Sequence, residues 1–359
     1  MTMNRIKAGW LVLVCATLPG SLDGRGPAQG EPNIMIPVRH DGARVGVEWM
    51  DFTPDGSRLL VRHSIPDSND DMLRIYDAKN GREAASIRIP RKGNIRSMPS
   101  HPVSISSKGD QLLFIQQGEL RLGPLDANRP TSLAESRPVK GGGYPAFVWL
   151  NEKSDGAFLG SEASSQFRLD RLDFATGRKE QVLETGNPAT FFAGVTINIP
   201  AKKLALAATD VLNRNSVECW SLGPKPTKVT IHPPDEPRSV ALSPDGKSVA
   251  VGFKSGPVSW YETETGRLIR TVPKFGLFPA HGLAYHPSGE FLVCGTGDRK
   301  AMSNLFVLHL ATGEVVNRVI ADPGGVSAIC FSPKGDRLAV YGNSGDLRIW
   351  NAFALLKLE

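Results

Sequence analysis

The sequence predicts an all-β ring: a seven-bladed β-propeller of four-stranded antiparallel blades, closed by an N-terminal strand. Three observations carry this expectation. A Pro-Asp-Gly-like turn recurs as Thr53-Pro54-Asp55-Gly56, Ser107-Lys108-Gly109, Lys153-Ser154-Asp155-Gly156, Ser243-Pro244-Asp245-Gly246, His286-Pro287-Ser288-Gly289 and Ser332-Pro333-Lys334-Gly335. A second turn, glycine followed by a charge, recurs as Lys79-Asn80-Gly81-Arg82, Ala175-Thr176-Gly177-Arg178, Glu264-Thr265-Gly266-Arg267 and Ala311-Thr312-Gly313-Glu314. Between the turns, apolar and polar residues alternate with the period of half-buried strands. Proline presets the first turn position, Asp or Ser bonds back to the chain, and glycine accepts the positive φ that closes a hairpin. A repeat of roughly 40–50 residues built this way is one propeller blade.

Taken in order, the innermost strands fall at Val45–Met50, Val103–Ser106, Ala146–Leu150, Gly194–Ile199, Ser239–Ser243, Gly282–His286 and Val326–Ser332. In the fourth unit Pro200-Ala201-Lys202-Lys203 replaces the glycine form of the turn. Each turn leads to a second apolar strand, such as Leu112–Ile115 or Ser248–Gly252. The third strand often ends in an aromatic, as in Leu73-Arg74-Ile75-Tyr76, Val217-Glu218-Cys219-Trp220 and Leu347-Arg348-Ile349-Trp350. The glycine–charge turn then yields a more polar fourth strand, for example Glu83–Ile89. The last unit lacks a fourth strand of its own. Ile34-Met35-Ile36-Pro37-Val38 supplies one, with Pro37 tolerated at an outer edge; the competing option is that Ala354–Leu358 completes the unit. Stacking around an axis lets each blade bury faces it cannot hide alone.

Bulk properties fit one ring over residues 33–359. Of 359 residues 40% are hydrophobic, and 37 glycines and 27 prolines suit a chain that reverses often. The net charge of +6 is modest, and no long basic run appears, which argues against nucleic acid. Arg5 and Lys7 precede the apolar run Trp10–Leu18, then Pro19 and Gly20, so residues 1–28 read as a signal peptide with cleavage near Ala28. That run is too short for a stable membrane span. The expected location is therefore secreted or periplasmic. Cys219, Cys294 and Cys330 then remain, an odd number inside apolar strands, and are expected as free thiols.

Tyr76-Asp77, Trp350-Asn351 and the Ser-Pro-Asp-Gly turns resemble WD-repeat units over residues 45–351, best in the fifth and seventh. The Gly-His pair of that family is absent, and only His281-Gly282 approaches it, in reversed order. Asp346 and Asp71 stand where the family's turn Asp joins a buried hydrogen-bond network. The chain thus resembles a divergent WD-repeat or quinoprotein-like seven-bladed propeller.

No catalytic motif emerges: no Gly-x-Ser-x-Gly elbow, no Cys-x-x-Cys-His, no phosphate-cradling loop, and seven dispersed histidines without zinc spacing. The cluster Asp67-Ser68-Asn69-Asp70-Asp71 opens like a calcium loop. However, Met72 and Ala78 stand where glycine and the closing Glu belong, so a polar hairpin tip is expected. No cofactor and no metal are implied. Blade-to-blade connections and the loops between second and third strands share one face. That face carries His40, Arg44, Arg96, Met98, His101, Tyr144, Phe191, Phe192, Arg238, Phe278 and His281. Arg, Met and aromatic side chains are enriched at interface hot spots, although Phe191, Phe192 and Phe278 also suit plugs between blades. The expected function is an exported, non-catalytic, monomeric scaffold binding another protein. A propeller enzyme resembling lactonases or quinoprotein dehydrogenases is the alternative, with Glu48, His101, Arg238 and His281 at its funnel. A glycan-binding face would rest on Tyr144.

Overall fold

The hairpins form where the turn chemistry places them. Gly56, Gly109, Gly246, Gly289 and Gly335 all adopt φ between 70° and 76°. Asp55 accepts from Thr53 Oγ1 at 2.6 Å and from Ser57 N at 3.0 Å, bonds that pull its pKa down to about 2. Asp245 repeats the arrangement with Ser243 Oγ and Lys247 N, and Ser332 Oγ donates to Asp336. Two turns depart from the glycine rule. In the third unit Ser154 takes the positive φ of 58°, while Gly156 is already in a strand. A Cβ on Gly156 would meet Leu172 O at 2.5 Å, so close strand approach is what that glycine serves. In the fourth unit Lys202 adopts φ 52°.

A computed structural model describes residues 32–68, 70–90, 103–117, 119–125, 135–142, 145–163, 166–185, 190–272, 279–297 and 303–357. Strand β1 (Ile34–Pro37) is followed by a small hairpin, β2 (Arg39–His40) and β3 (Ala43–Arg44). Blade 1 contains β4 (Val47–Phe52), β5 (Arg58–Ser64), β6 (Asp70–Asp77) and β7 (Glu83–Pro90). Blade 2 contains β8 (Val103–Ile105), β9 (Gln111–Gln116), β10 (Glu119–Pro124) and the short β11 (Arg137–Pro138). Blade 3 contains β12 (Phe147–Leu150), β13 (Gly156–Ala163), β14 (Gln166–Asp173) and β15 (Lys179–Thr185). Blade 4 contains β16 (Thr190–Asn198), β17 (Lys203–Asp210), β18 (Asn215–Ser221) and β19 (Thr227–Ile231).

Blade 5 contains β20 (Pro237–Leu242), β21 (Ser248–Phe253), β22 (Val258–Glu262) and β23 (Leu268–Val272). Blade 6 contains β24 (Ala280–Tyr285), β25 (Phe291–Thr296), β26 (Leu305–His309) and β27 (Val315–Val319). Blade 7 contains β28 (Val326–Phe331), β29 (Arg337–Gly342) and β30 (Asp346–Asn351). Every blade is a consecutive antiparallel meander except the last, whose order β1-β30-β29-β28 recruits the N-terminal strand. Ile34 faces Ile349 and Ile36 faces Leu347 in that pairing.

The core is divided among the blade interfaces. Ile36, Phe52 and Tyr76 pack with Tyr341 and Ile349 between blades 7 and 1, and Leu73 and Ile87 pack with Phe114 between blades 1 and 2. Phe167 and Leu183 meet Phe192 and Leu206 between blades 3 and 4. Trp260 meets Cys294 and Phe306 between blades 5 and 6. Similar clusters fill the remaining interfaces, and β28 lies beside β4, which closes the ring. Cys219, Cys294 and Cys330 are free thiols.

Among the described residues of the segment 354–358 the rival closing strand does not form. Ala352–Leu356 forms a short helix, α1, capped by Asn351, whose side chain accepts from Phe353 N and Ala354 N. Leu355 and Leu356 are buried in the cluster between blades 6 and 7, and Asn317 Nδ2 holds Leu355 O at 2.7 Å. No helix among the described residues is long and apolar enough to cross a membrane.

Candidate interaction face

On the loop face, the β2–β3 hairpin is tied down at the point of ring closure. Asp41 and Gly42 take φ of 48° and 79°, a turn that matches strand twist. Arg39 pairs with Asp346 at 3.0 Å, Val38 N donates to Gly345 O at 3.1 Å, and Arg74 Nη2 donates to Arg39 O at 2.7 Å. Arg44 lies over the β29–β30 turn, close enough that a Cβ on Gly345 would come within 3.3 Å of its Cγ. Arg44 is exposed.

Beneath the hairpin runs a buried polar network. Asp322, fully buried on the connection into blade 7, accepts from Gly324 N at 2.7 Å and Ser344 N at 3.0 Å, and pairs with Arg348. Arg348 also reaches Asp346 at 3.4 Å, so two carboxylates share one guanidinium. Asp71 has the same character in blade 1: it is fully buried and receives Arg62 Nε at 2.8 Å. Both turn aspartates therefore join hydrogen-bond networks. Asp70 pairs with Arg88 of β7 at 2.6 Å, and Ser68 Oγ accepts from Asp70 N within the tip. Among the described residues no group of three His, Cys, Asp or Glu side chains could hold a metal ion.

Further round the ring, Arg238 is exposed and pairs with Glu236 at 2.8 Å, and Glu236 also takes Lys254 at 2.7 Å. His281 stands on the next blade, with its ring so near Gly297 that a Cβ there would meet Cδ2 at 2.9 Å. Desolvation of the ring, and then the positive charge of Arg238, lower its pKa. Arg238 and His281 are thus electrostatic neighbours across the interface of blades 5 and 6. Glu48 instead faces Arg62 of its own blade at 3.9 Å. His40 lies 6.1 Å from His63, ring to ring, at the foot of the β2–β3 hairpin.

Phe192 does not sit on a loop. It belongs to β16, is buried, and meets Phe167 edge-on at 6.1 Å, which makes it a plug between blades 3 and 4. Phe191 lies in the same strand, which starts four residues earlier than the apolar pattern suggested. Arg96, Met98, His101, Tyr144 and Phe278 lie outside the described residues.

Two features escaped the sequence reading. The tip between β17 and β18 exposes Val211 and Leu212, at 56% and 69%. Below it opens a groove of about 770 Å³ between blades 3 and 4, lined by Glu184, Thr185, Phe192, Asp210, Glu218 and Lys228 among others. The Asp210-Val211-Leu212-Asn213-Arg214 run carried the turn signal, with Asn213 at φ 56°, but nothing in the sequence announced a groove. On β4, the innermost strand of blade 1, desolvation raises the pKa of Asp51 to about 6 although the residue keeps contact with solvent.

Comparison with known proteins supports the repeat. The family model described as WD domain, G-beta repeat matches residues 313–351, from the last strand of blade 6 through β30. The meiotic recombination protein rec14 of Schizosaccharomyces pombe (strain 972 / ATCC 24843) is 29% identical over 124 residues. That match spans 34% of this chain and 38% of the relative.

Proposed function

We propose that this chain, a seven-bladed propeller of WD-repeat type, is an exported, non-catalytic platform that binds another protein on its loop face. One observation carries the reading. Four loop-face side chains are exposed: Arg44 at the end of the β2–β3 hairpin, Arg238 in β20 beside Glu236, and Val211 and Leu212 on the blade 4 tip. A rigid scaffold that presents Arg and apolar groups outward has the character of a docking surface, because such groups supply interface anchors. Fold alone does not assign function; the reading rests on these side chains and on the similarity to a repeat that commonly mediates protein contacts. Export rests on the first 28 residues, with their basic start, apolar run and small exit.

The test is affinity capture from the native source with the wild type and with the double variant R44E/R238E. One stoichiometric protein retained by the wild type and lost by the variant is expected. Capture of no partner at all by the wild type would sink the proposal. N-terminal sequencing of the protein from extracytoplasmic fractions should begin near residue 29, and an intact Met1 on cytoplasmic protein would refute export.

A further inference from the structure

We propose that the groove between blades 3 and 4, with the Val211–Leu212 tip above it, is a docking surface for a linear peptide carrying a basic side chain beside apolar ones. The inference rests on the scaffold reading and names where and what the scaffold would bind. Three blades share a pattern at the position two before the aromatic that ends the third strand. In blade 1 that residue is Arg74, held by Arg39 O, and in blade 7 it is Arg348, held by Asp322. In blade 4 it is Glu218, so the sign of the charge is inverted there. Glu218 accepts from Thr185 Oγ1 of blade 3, from Trp220 Nε1 at 3.1 Å and from Lys228 Nζ at 3.0 Å.

The inversion coincides with the groove of about 770 Å³, a size within the range of ligand pockets. Its acids are inside and its bases outside. The side chains of Glu218 and Asp210 are only 13% and 12% exposed, whereas their partners Lys228 and Arg214 are 39% and 68% exposed. Lys228 Nζ also lies 5.3 Å from the centre of the Trp220 ring. Beside the groove, an ammonium therefore already rests over an aromatic face next to a carboxylate, an arrangement suited to cations. A lysine this exposed is a replaceable occupant.

The remaining contact is apolar. Val211 and Leu212 are exposed on the turn between Asp210 and Asn213, which both line the groove, and Asp210 Oδ1 fixes that turn by accepting from Leu212 N and Arg214 N at 2.9 Å each. Phe192 supplies the buried floor. A segment with Arg or Lys next to Leu or Val matches both parts: the cation for Glu218, the apolar groups for the tip. A small polar ligand would leave Leu212 unused, and an acidic segment would meet Glu184, Asp210 and Glu218.

The test is fluorescence anisotropy of the full-length protein with labelled twelve-residue peptides: basic–apolar, acidic–apolar, basic–polar and neutral–apolar, with chitotetraose as a competitor. Preferential binding of the basic–apolar probe is expected. E218Q and L212D should each weaken it about tenfold or more, a difference of about 1.4 kcal/mol, while I269D on the outer strand of blade 5 should not. K228M removes the resident cation and should tighten binding several-fold, a gain that misfolding cannot mimic. Equal binding of the basic–polar probe, preference for the acidic probe, displacement by chitotetraose, no binding, or weaker binding by K228M would each overturn the proposal. If E218Q and L212D still capture the native partner, this groove is refuted and the platform reading stands; if the wild type captures nothing, the platform reading itself fails.

Discussion

Replacing Asp322 by Ala should destabilise the ring more than any surface change, and the structure sets the size of the effect. Asp322 is fully buried where the chain enters blade 7 and serves four donors at once. Its loss removes the acceptor of Gly324 N and Ser344 N, which fold back in tight turns, at a cost of about 1 kcal/mol each where water partly replaces it. Arg348, with its side chain 10% exposed, would lose its nearest carboxylate. Breaking a buried pair by removing one partner costs about 3–5 kcal/mol. Asp346 remains 3.4 Å from Arg348 and absorbs part of that loss. The expected total is about 4 kcal/mol.

The double variant D322A/R348M removes the orphaned charge as well as its partner, so it should lose only about 2 kcal/mol. Urea unfolding followed by tryptophan fluorescence reads both values. A loss below about 1 kcal/mol for D322A, or a double variant as unstable as the single one, would refute the argument that the buried charge pair dominates.

Closure gives a second prediction: I36D places a carboxylate where Ile36 is 6% exposed, and should lower stability by about 3 kcal/mol and expose the N-terminal strand to proteases. An unchanged melting temperature would show that β1 is dispensable. Asp51 gives a pH-dependent one. Its folded pKa of about 6 lies above the ordinary carboxylate value of 3.8, so the folded state holds the proton more tightly, and stability is lost as pH rises from about 4 through 6. D51N should therefore stabilise the protein at pH 8, by about 1 kcal/mol given its solvent contact, and make no difference near pH 4. Thermal melts at both pH values check this, and equal melting points at pH 8 would contradict it. Finally, burial pushes the Cys219 and Cys294 thiols up to about 12, so a disulfide-exchange reagent at pH 8 should label neither in the folded state and both after unfolding.

Much of the ring was legible from local chemistry. Hairpin turns depend on φ and on side chains one to four residues away, so Thr53-Pro54-Asp55-Gly56 and Ser243-Pro244-Asp245-Gly246 announce their structures directly. The N-terminal clasp was legible too, since Ile34 and Ile36 form an apolar strand that needs a partner. Where the sequence left two readings open, packing between distant segments decided. Residues 354–358 look like an edge strand until the cap at Asn351 and the gap between blades 6 and 7 make a helix of Ala352–Leu356. Phe192 suits either the loop face or a plug between blades until Phe167 of the neighbouring blade is placed against it.

The amino-acid order alone determined the blade count and the meander, because each is written in contacts a few residues apart or in a repeated pattern; which strand locks the circle was decided by the pairing of Ile34 with Ile349, from opposite ends of the chain. Only the assembled ring decided which polar groups are hidden and which charges face a groove. Asp322 with Arg348, and Glu218 with Thr185, come from different blades or distant segments, and their burial is a property of how the blades stack. That is a long-range outcome that no local spacing encodes.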